Sequence, residues 1–372
     1  MTKHANGEGS IGKRKDGRWM ATLTIDGKRM YFYGKTQAEA LEKRRAAQRE
    51  YAQGILASGP TQTLKTYLNH WLEDVHRPSV GIRTYLAYRG NLDNHIFPVL
   101  GHIQLRKLTP QHIQSFYAKM LKEGLKASTI KGMHSILRSA LDNAVRWNLV
   151  SRNVCNLVTK PRTVKHKIHP LIEDQARNLL EAVKGDVLEG IITVTLVTGL
   201  RRGEVLGLKW EDIDLINKYL YVRRSVGRAG KYGIVVSEPK TISGLRVIKL
   251  PDIVIDVVGR HRVRQDEVKA KLGTAWQDSG YVFCNGIGEF LDESQLQVMY
   301  KRLLKRAMLP NIRFHDLRHS AATIMISMGV NPKVVQEILG HSTISMTMDT
   351  YAHVLPSMQQ DATQKLNDMY KQ

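Results

Sequence analysis

The sequence predicts three domains of different class. A small β-sheet followed by a helix occupies residues 1–57, an all-α bundle residues 62–160, and a mostly helical α+β domain residues 168–372. Three observations predict this. Apolar and polar residues alternate between Asp-Gly pairs near the start. Apolar residues then recur at three- and four-residue spacing for about a hundred residues, and the remainder mixes that helical period with β-branched runs. A chain of 372 residues also exceeds what one core usually organises. "QGILASGPTQT" and the basic, proline-bounded "KPRTVKHKIHP" read as the linkers between the three segments.

The first segment contains "SIGKRKDGRWMATLTIDGKRMYFYG", with Asp16-Gly17 and Asp26-Gly27 as turns between short strands. Trp19, Ala21, Leu23 and Ile25 alternate onto one face, and Arg18, Met20, Thr22 and Thr24 onto the other. Thr36 and Glu39 form a capping box that opens a helix expected to close at Gly54. The ribbon carries Lys13, Arg14, Lys15, Arg18, Lys28 and Arg29, a charge suited to a DNA major groove. A generic basic hairpin module is the competing view.

In the second segment, "TLKTYLNHWLEDV", "TYLAYRGNLDNHIFPVL", "TPQHIQSFYAKMLKEG" and "STIKGMHSILRSALDNAVRWNLV" each predict a helix. Thr109 caps the third with Pro110 in its first turn, and Ser128 or Thr129 is expected to cap the fourth. In the third segment, "KYLYVRRSV", "GIVVSEPK" and "GLRVIKLP" predict strands between long helical stretches.

Composition points to a polyanionic partner. Fifty-six Lys and Arg stand against 34 Asp and Glu, a net charge of +22 and a pI near 9.9. Residues 1–60 hold 12 basic and 6 acidic side chains, and residues 61–160 hold 14 and 5. Basic side chains that neutralise phosphates release counterions, so such an excess favours nucleic acid. The start is polar, without an apolar signal region, and "GIITVTLVTGL" is too short to span a bilayer. A cytoplasmic protein without a membrane partner is therefore expected. Cys155 and Cys284 make neither a disulfide framework nor a zinc set.

"FHDLRHS" places His315, Arg318 and His319 within five positions, where residues three and four apart share a helix face. "TGLRRGEVLGLKW" reads as a helical turn starting at Gly199, with Arg201 and Glu204 on one face. "SEPKTISGLRVIKL" places Lys240 at a turn before a strand, a β-hairpin tip near Gly244. "LGHSTISMTMDTYAHV" adds His341 and Tyr351. Taken singly, each has an ordinary structural explanation, an ion pair, a cap or a core aromatic.

In this order the set resembles the tyrosine recombinase (phage integrase) family, through "TGLRRGE", "KTISGLR", "HDLRHS", "LGHS" and "TYAHV". The layout resembles the family's larger integrases, with an arm-site-binding domain and a core-binding domain ahead of the catalytic one. The resemblance implies a site-specific DNA recombinase with six catalytic residues: Tyr351, Arg201, Lys240, His315, Arg318 and His341. Tyr351 would be the nucleophile that forms a 3′-phosphotyrosyl intermediate. Arg201 and Arg318 would clamp the phosphate, and Lys240, with Lys231 as the alternative, would protonate the departing 5′-oxygen. His315 would assist proton movement at the tyrosine and His341 would hydrogen-bond the phosphate. Glu204 would orient Arg201, Asp214 would brace the fold, and His319 would only pack. The resemblance also implies no metal, no cofactor, double-stranded DNA with core and arm attachment sites, and a tetramer on that DNA. The tail after Pro356 becomes a candidate to dock on a neighbouring subunit, with an excision factor as a further candidate partner in a bacterial host. A type IB topoisomerase and an inactive DNA-binding relative are the competing readings.

Overall fold

The computed structural model of the chain describes residues 10–25, 28–52, 62–163, 170–238, 244–344, 363–364 and 366–370. The chain divides into two compact units, Met1–Lys165 and His166–Gln372. Each is taken by itself.

The first unit holds two separate apolar cores. One lies between a three-stranded antiparallel sheet of order β1-β2-β3 and helix α1, Gln37–Ala52. Strand β1 is Ile11–Lys13, β2 is Trp19–Ile25 and β3 is Lys28–Gly34. The pairs Ala21↔Phe32 and Leu23↔Met30 put the alternating apolar set on the α1 side. The first turn forms as expected, with Gly17 at φ 82° between Arg14 and Arg18. Thr22, expected on the open face, is buried because its hydroxyl accepts from the Ser10 amide at 2.9 Å. Thr36 caps α1 as expected, but Glu39 reaches back to the Lys35 amide at 2.8 Å. Asp26, Gly27 and Gly54 lie outside the described residues.

The second core is the helical bundle. It runs α2 (Leu64–His70), α3 (Ile82–Asn91), α4 (Phe97–Leu100), α5 (Pro110–Lys122) and α6 (Ala127–Arg146). Tyr67, Trp71, Phe116, Tyr117 and Leu137 are buried in it, the stripe that the three- and four-residue spacing marked. Thr109 caps α5 through the His112 amide. The fourth predicted helix starts earlier than expected: its N-cap is Lys126, so Ser128 and Thr129 lie inside the first turn.

The second unit is built around α8, Glu189–Thr198, which is buried on nearly all sides. Its threonines tolerate this because Thr195 and Thr198 donate their hydroxyls to the Ile191 and Val194 carbonyls, each at 2.6 Å. Gly199 closes α8 in the left-handed conformation, φ 64°. A Cβ there would stand 2.3 Å from Leu339 Cδ2, so both the turn and the close approach require glycine. The turn expected to start at Gly199 therefore starts later, as α9, Arg202–Leu206, capped by Arg201.

Around α8 lie α7 (Glu173–Ala182), α10 (Asp252–Leu272), α11 (Glu293–Arg306), α12 (Asp316–Ser327) and α13 (Pro332–Leu339). Two small antiparallel sheets accompany them. Strands β4 (Ile213–Asp214), β5 (Tyr219–Val222) and β8 (Arg246–Lys249) form one. Strands β6 (Ser225–Arg228) and β7 (Ile234–Ser237) form the other. Lys240, expected at a hairpin tip between β7 and β8, lies outside the described residues; among those, β8 pairs with β5 and β7 with β6. The hairpin turn is Ala229–Gly233, which contains Lys231. Asp214 holds the β4–β5 turn by accepting from the Ile216 and Asn217 amides. Among the described residues, no helix is long and apolar enough to cross a membrane.

Candidate active site and nucleic-acid interface

Four of the six expected catalytic residues are described, and the fold brings them together. Arg201 caps α9, His315 caps α12, Arg318 lies in the first turn of α12, and His341 follows the left-handed cap Gly340 of α13. Lys240 and Tyr351 lie outside the described residues.

The two arginines are anchored on helix ends. Arg318, 3% exposed, donates to the Gly199 carbonyl at the end of α8 and to the Leu339 carbonyl at the end of α13, both at 2.8 Å. Helix C-terminal carbonyls carry partial negative charge and lack intrahelical partners, so a guanidinium satisfies both deficits. Arg201 donates to the next carbonyl, Gly340, at 3.0 Å, and to Glu204 Oε1 at 2.7 Å. Its side chain stays 37% exposed while that of Glu204 is only 4% exposed. The orienting role expected of Glu204 is thus realised in geometry.

A third arginine, without an assignment from sequence, completes the cluster. Arg246 opens β8 and donates to Glu204 Oε2 at 2.8 Å. Burial opposes the charge on Glu204, but Arg246 and Arg201 outweigh it and hold the carboxyl below its usual range. One signal for Arg246 was present in sequence. It alternates with Ile248 onto the inner side of β8, opposite Val222 and Leu220, where a cation needs a buried partner.

Three guanidiniums against one carboxylate leave a cationic cluster, and the histidines respond to it. Burial, then Arg318 and Arg201, push His341 down to about 4. His315 also falls to about 4, through burial and then His319 and Arg318. The His315 side chain is partly open to solvent, so the neighbouring His319 and Arg318 contribute to its shift beside burial. His319 stands edge-on to His315 with ring centroids 5.4 Å apart, consistent with its expected packing place. At neutral pH both imidazoles are uncharged, fit to accept or donate a hydrogen bond.

The sign of the pH dependence follows. Histidines whose folded pKa lies below the ordinary 6.5 bind fewer protons folded than unfolded. Their contribution is complete above 6.5 and is lost as pH falls from there toward about 4. The melting temperature should drop between pH 7 and pH 5, and drop less in His341→Gln. An equal drop in both proteins would remove His341 from the account.

The sheet of the first unit also sorts its charges. Lys13, Arg14, Lys15, Arg18 and Arg29 are exposed, and Lys28 opens β3. The guanidiniums of Arg14 and Arg18 lie 5.4 and 5.9 Å from the Tyr33 ring centre. Tyr31, Tyr33 and Arg29 pair with Thr22, Met20 and Thr24 on the side away from α1. This is a face of cations and aromatic rings.

Comparison with known proteins gives the family. Residues 170–358 match the pattern described as the Phage integrase family. The chain belongs to that family. As a phage integrase relative it is a tyrosine-type site-specific recombinase. Residues 63–121 match the N-terminal SAM-like domain of phage integrases. A tyrosine recombinase XerC-like protein of Caldanaerobacter subterraneus subsp. tengcongensis is 34% identical over 360 residues, covering 92% of each chain. The fold of this integrase matches the Tn1549 transposon integrase in complex with transposon right end DNA, at a TM-score of 0.70 and 24% identity. That match covers 82% of this chain and all of the other. A lambda integrase tetramer bound to a Holliday junction matches at a TM-score of 0.57 and 19% identity, over 94% of this chain and 96% of the other.

Proposed function

We propose that this protein integrates and excises a mobile element through a covalent 3′-phosphotyrosyl intermediate and a Holliday junction, without metal or ATP. The observation that carries the reading is the pair Arg201 and Arg318, held on the adjacent carbonyls Gly340 and Leu339 beside His341. Two guanidiniums fixed in this way suit the non-bridging oxygens of one phosphodiester. Tyr351 attacks phosphorus and the bond to the 5′-oxygen breaks. His315 assists removal of the phenol proton, Lys240 delivers a proton to the leaving oxygen, and His341 hydrogen-bonds the phosphate. The free 5′-hydroxyl of the partner strand reverses the step, so bond energy is conserved.

Residues 62–160 and 168–372 bind the core site, and residues 1–57 read arm sites through Lys13, Arg14, Lys15, Arg18, Lys28 and Arg29. The protein works in the cytoplasm as a tetramer on DNA, with the tail after Pro356 docking on a neighbouring subunit and an excision factor setting direction.

A nicked duplex carrying the element end tests the chemistry. Incubation in EDTA should leave one strand covalently attached to the protein through its 3′-phosphate. Attachment that requires magnesium or manganese would replace this reading with a metal-dependent one. Deleting residues 1–57 should spare that attachment, abolish recombination that needs distant arm sites, and flatten the salt dependence of binding. A truncated protein unable to bind the core site would refute the division of labour.

A further inference from the structure

Arg246 has no task in the chemistry above, yet it is bonded to three parts of the fold. Its side chain is 6% exposed. Nε donates to the Ile338 carbonyl at 2.6 Å, and Nη2 to Glu204 Oε2 at 2.8 Å. Nη1 reaches Glu204 Oε1 and the Gly244 carbonyl, each at 3.3 Å. Ile338, Leu339 and Gly340 thus offer their three successive carbonyls to Arg246, Arg318 and Arg201.

The arrangement matters most for Arg201. A buried carboxylate must be compensated by a cation, and Glu204 accepts from both Arg201 and Arg246. Were Arg201 its sole partner, that compensation would draw on the charge Arg201 presents to a phosphate. The two arginines divide the work by depth: the buried one sits against the carboxylate, and the other stays 37% exposed. We propose that Arg246 is a positioning residue for strand cleavage. It neutralises Glu204 and ties the end of α13 to β8, so that Arg201 keeps its charge and orientation for the scissile phosphate. The proposal rests on the reading of Arg201 as half of the phosphate clamp.

The test is single-turnover cleavage of the nicked duplex by the full-length protein, with DNA affinity and melting temperature measured alongside. Arg246→Met should slow cleavage about 10- to 100-fold while DNA affinity changes far less. Adding Glu204→Gln should restore about tenfold of that loss, because the carboxylate no longer draws on Arg201. A residue that merely packs gives no such rescue, and the double variant would be as slow as the single one or slower. That result, or cleavage at the wild-type rate by Arg246→Met, overturns the proposal. If Arg246→Met does not fold, Arg246→Lys decides. It keeps a charge beside Glu204 and should cleave within about tenfold of wild type, whereas a loss as deep as that of Arg201→Ala overturns the proposal. Wild-type protein that forms no adduct would defeat the recombinase reading itself. An active wild type without rescue defeats only the role of Arg246.

Discussion

Tyr351→Phe should form no covalent adduct with a nicked duplex, while its DNA affinity stays close to that of the wild type. The phenol oxygen is the proposed nucleophile, and a phenyl ring offers no atom that can bond to phosphorus. The substitution removes one hydroxyl and leaves the arginine clamp and the basic surfaces intact, so binding has no reason to fall. The measurement is denaturing electrophoresis for the adduct, paired with a binding titration at fixed salt. Adduct formation by Tyr351→Phe would transfer the nucleophile to another residue and undo the carry-over from "TYAHV". Loss of adduct together with loss of binding would point instead to a folding role for that segment.

Arg318→Met is expected to have the second largest effect, and it acts on two properties at once. Methionine retains much of the length and none of the charge. Strand cleavage should slow about 10²- to 10³-fold, the usual cost of removing one group that stabilises charge in a transition state. The fold should weaken as well, because the Gly199 and Leu339 carbonyls lose their donor. A buried acceptor left without a partner costs about 1–3 kcal/mol. Arg318→Lys separates the two effects: it restores a positive charge but not the planar fork that spans both helix ends. It should melt closer to wild type than Arg318→Met and still cleave at least about tenfold more slowly than wild type. Cleavage by a folded Arg318→Met at close to the wild-type rate would refute the clamp.

Both results bear on a cluster whose members are far apart in the chain. Gly199, Arg246, Arg318 and Leu339 meet because α8, β8, α12 and α13 converge, and the contacts are helix-end carbonyls as much as side chains. This explains how the cluster holds excess positive charge. Each guanidinium also donates to a carbonyl that carries only partial charge, and one carboxylate serves two of the three, so a net cation survives.

Much of this was legible in the amino-acid order. Alternation between Asp-Gly pairs marked the sheet, because a strand exposes its side chains to opposite faces with period two. Three- and four-residue spacing marked the bundle, because Trp71, Phe116 and Leu137 must share one buried stripe. The motifs around Arg201, His315, Arg318 and His341 singled out residues that the fold brings together, although their distances are not encoded locally. Other features were set by tertiary structure alone. Local pattern marked "GIVVSEPK" and "GLRVIKLP" as strands but not their partners, because strand pairing is a long-range choice, and β7 joined β6 while β8 joined β5. Thr22 became buried because Ser10 supplied a partner twelve residues away. Arg246 closes "KTISGLR" and alternates with Ile248, but neither pattern gave it a task. Only packing against Glu204 and the end of α13 made it an internal cation, because a buried charge is tolerable where the fold brings a counter-charge and carbonyls to it.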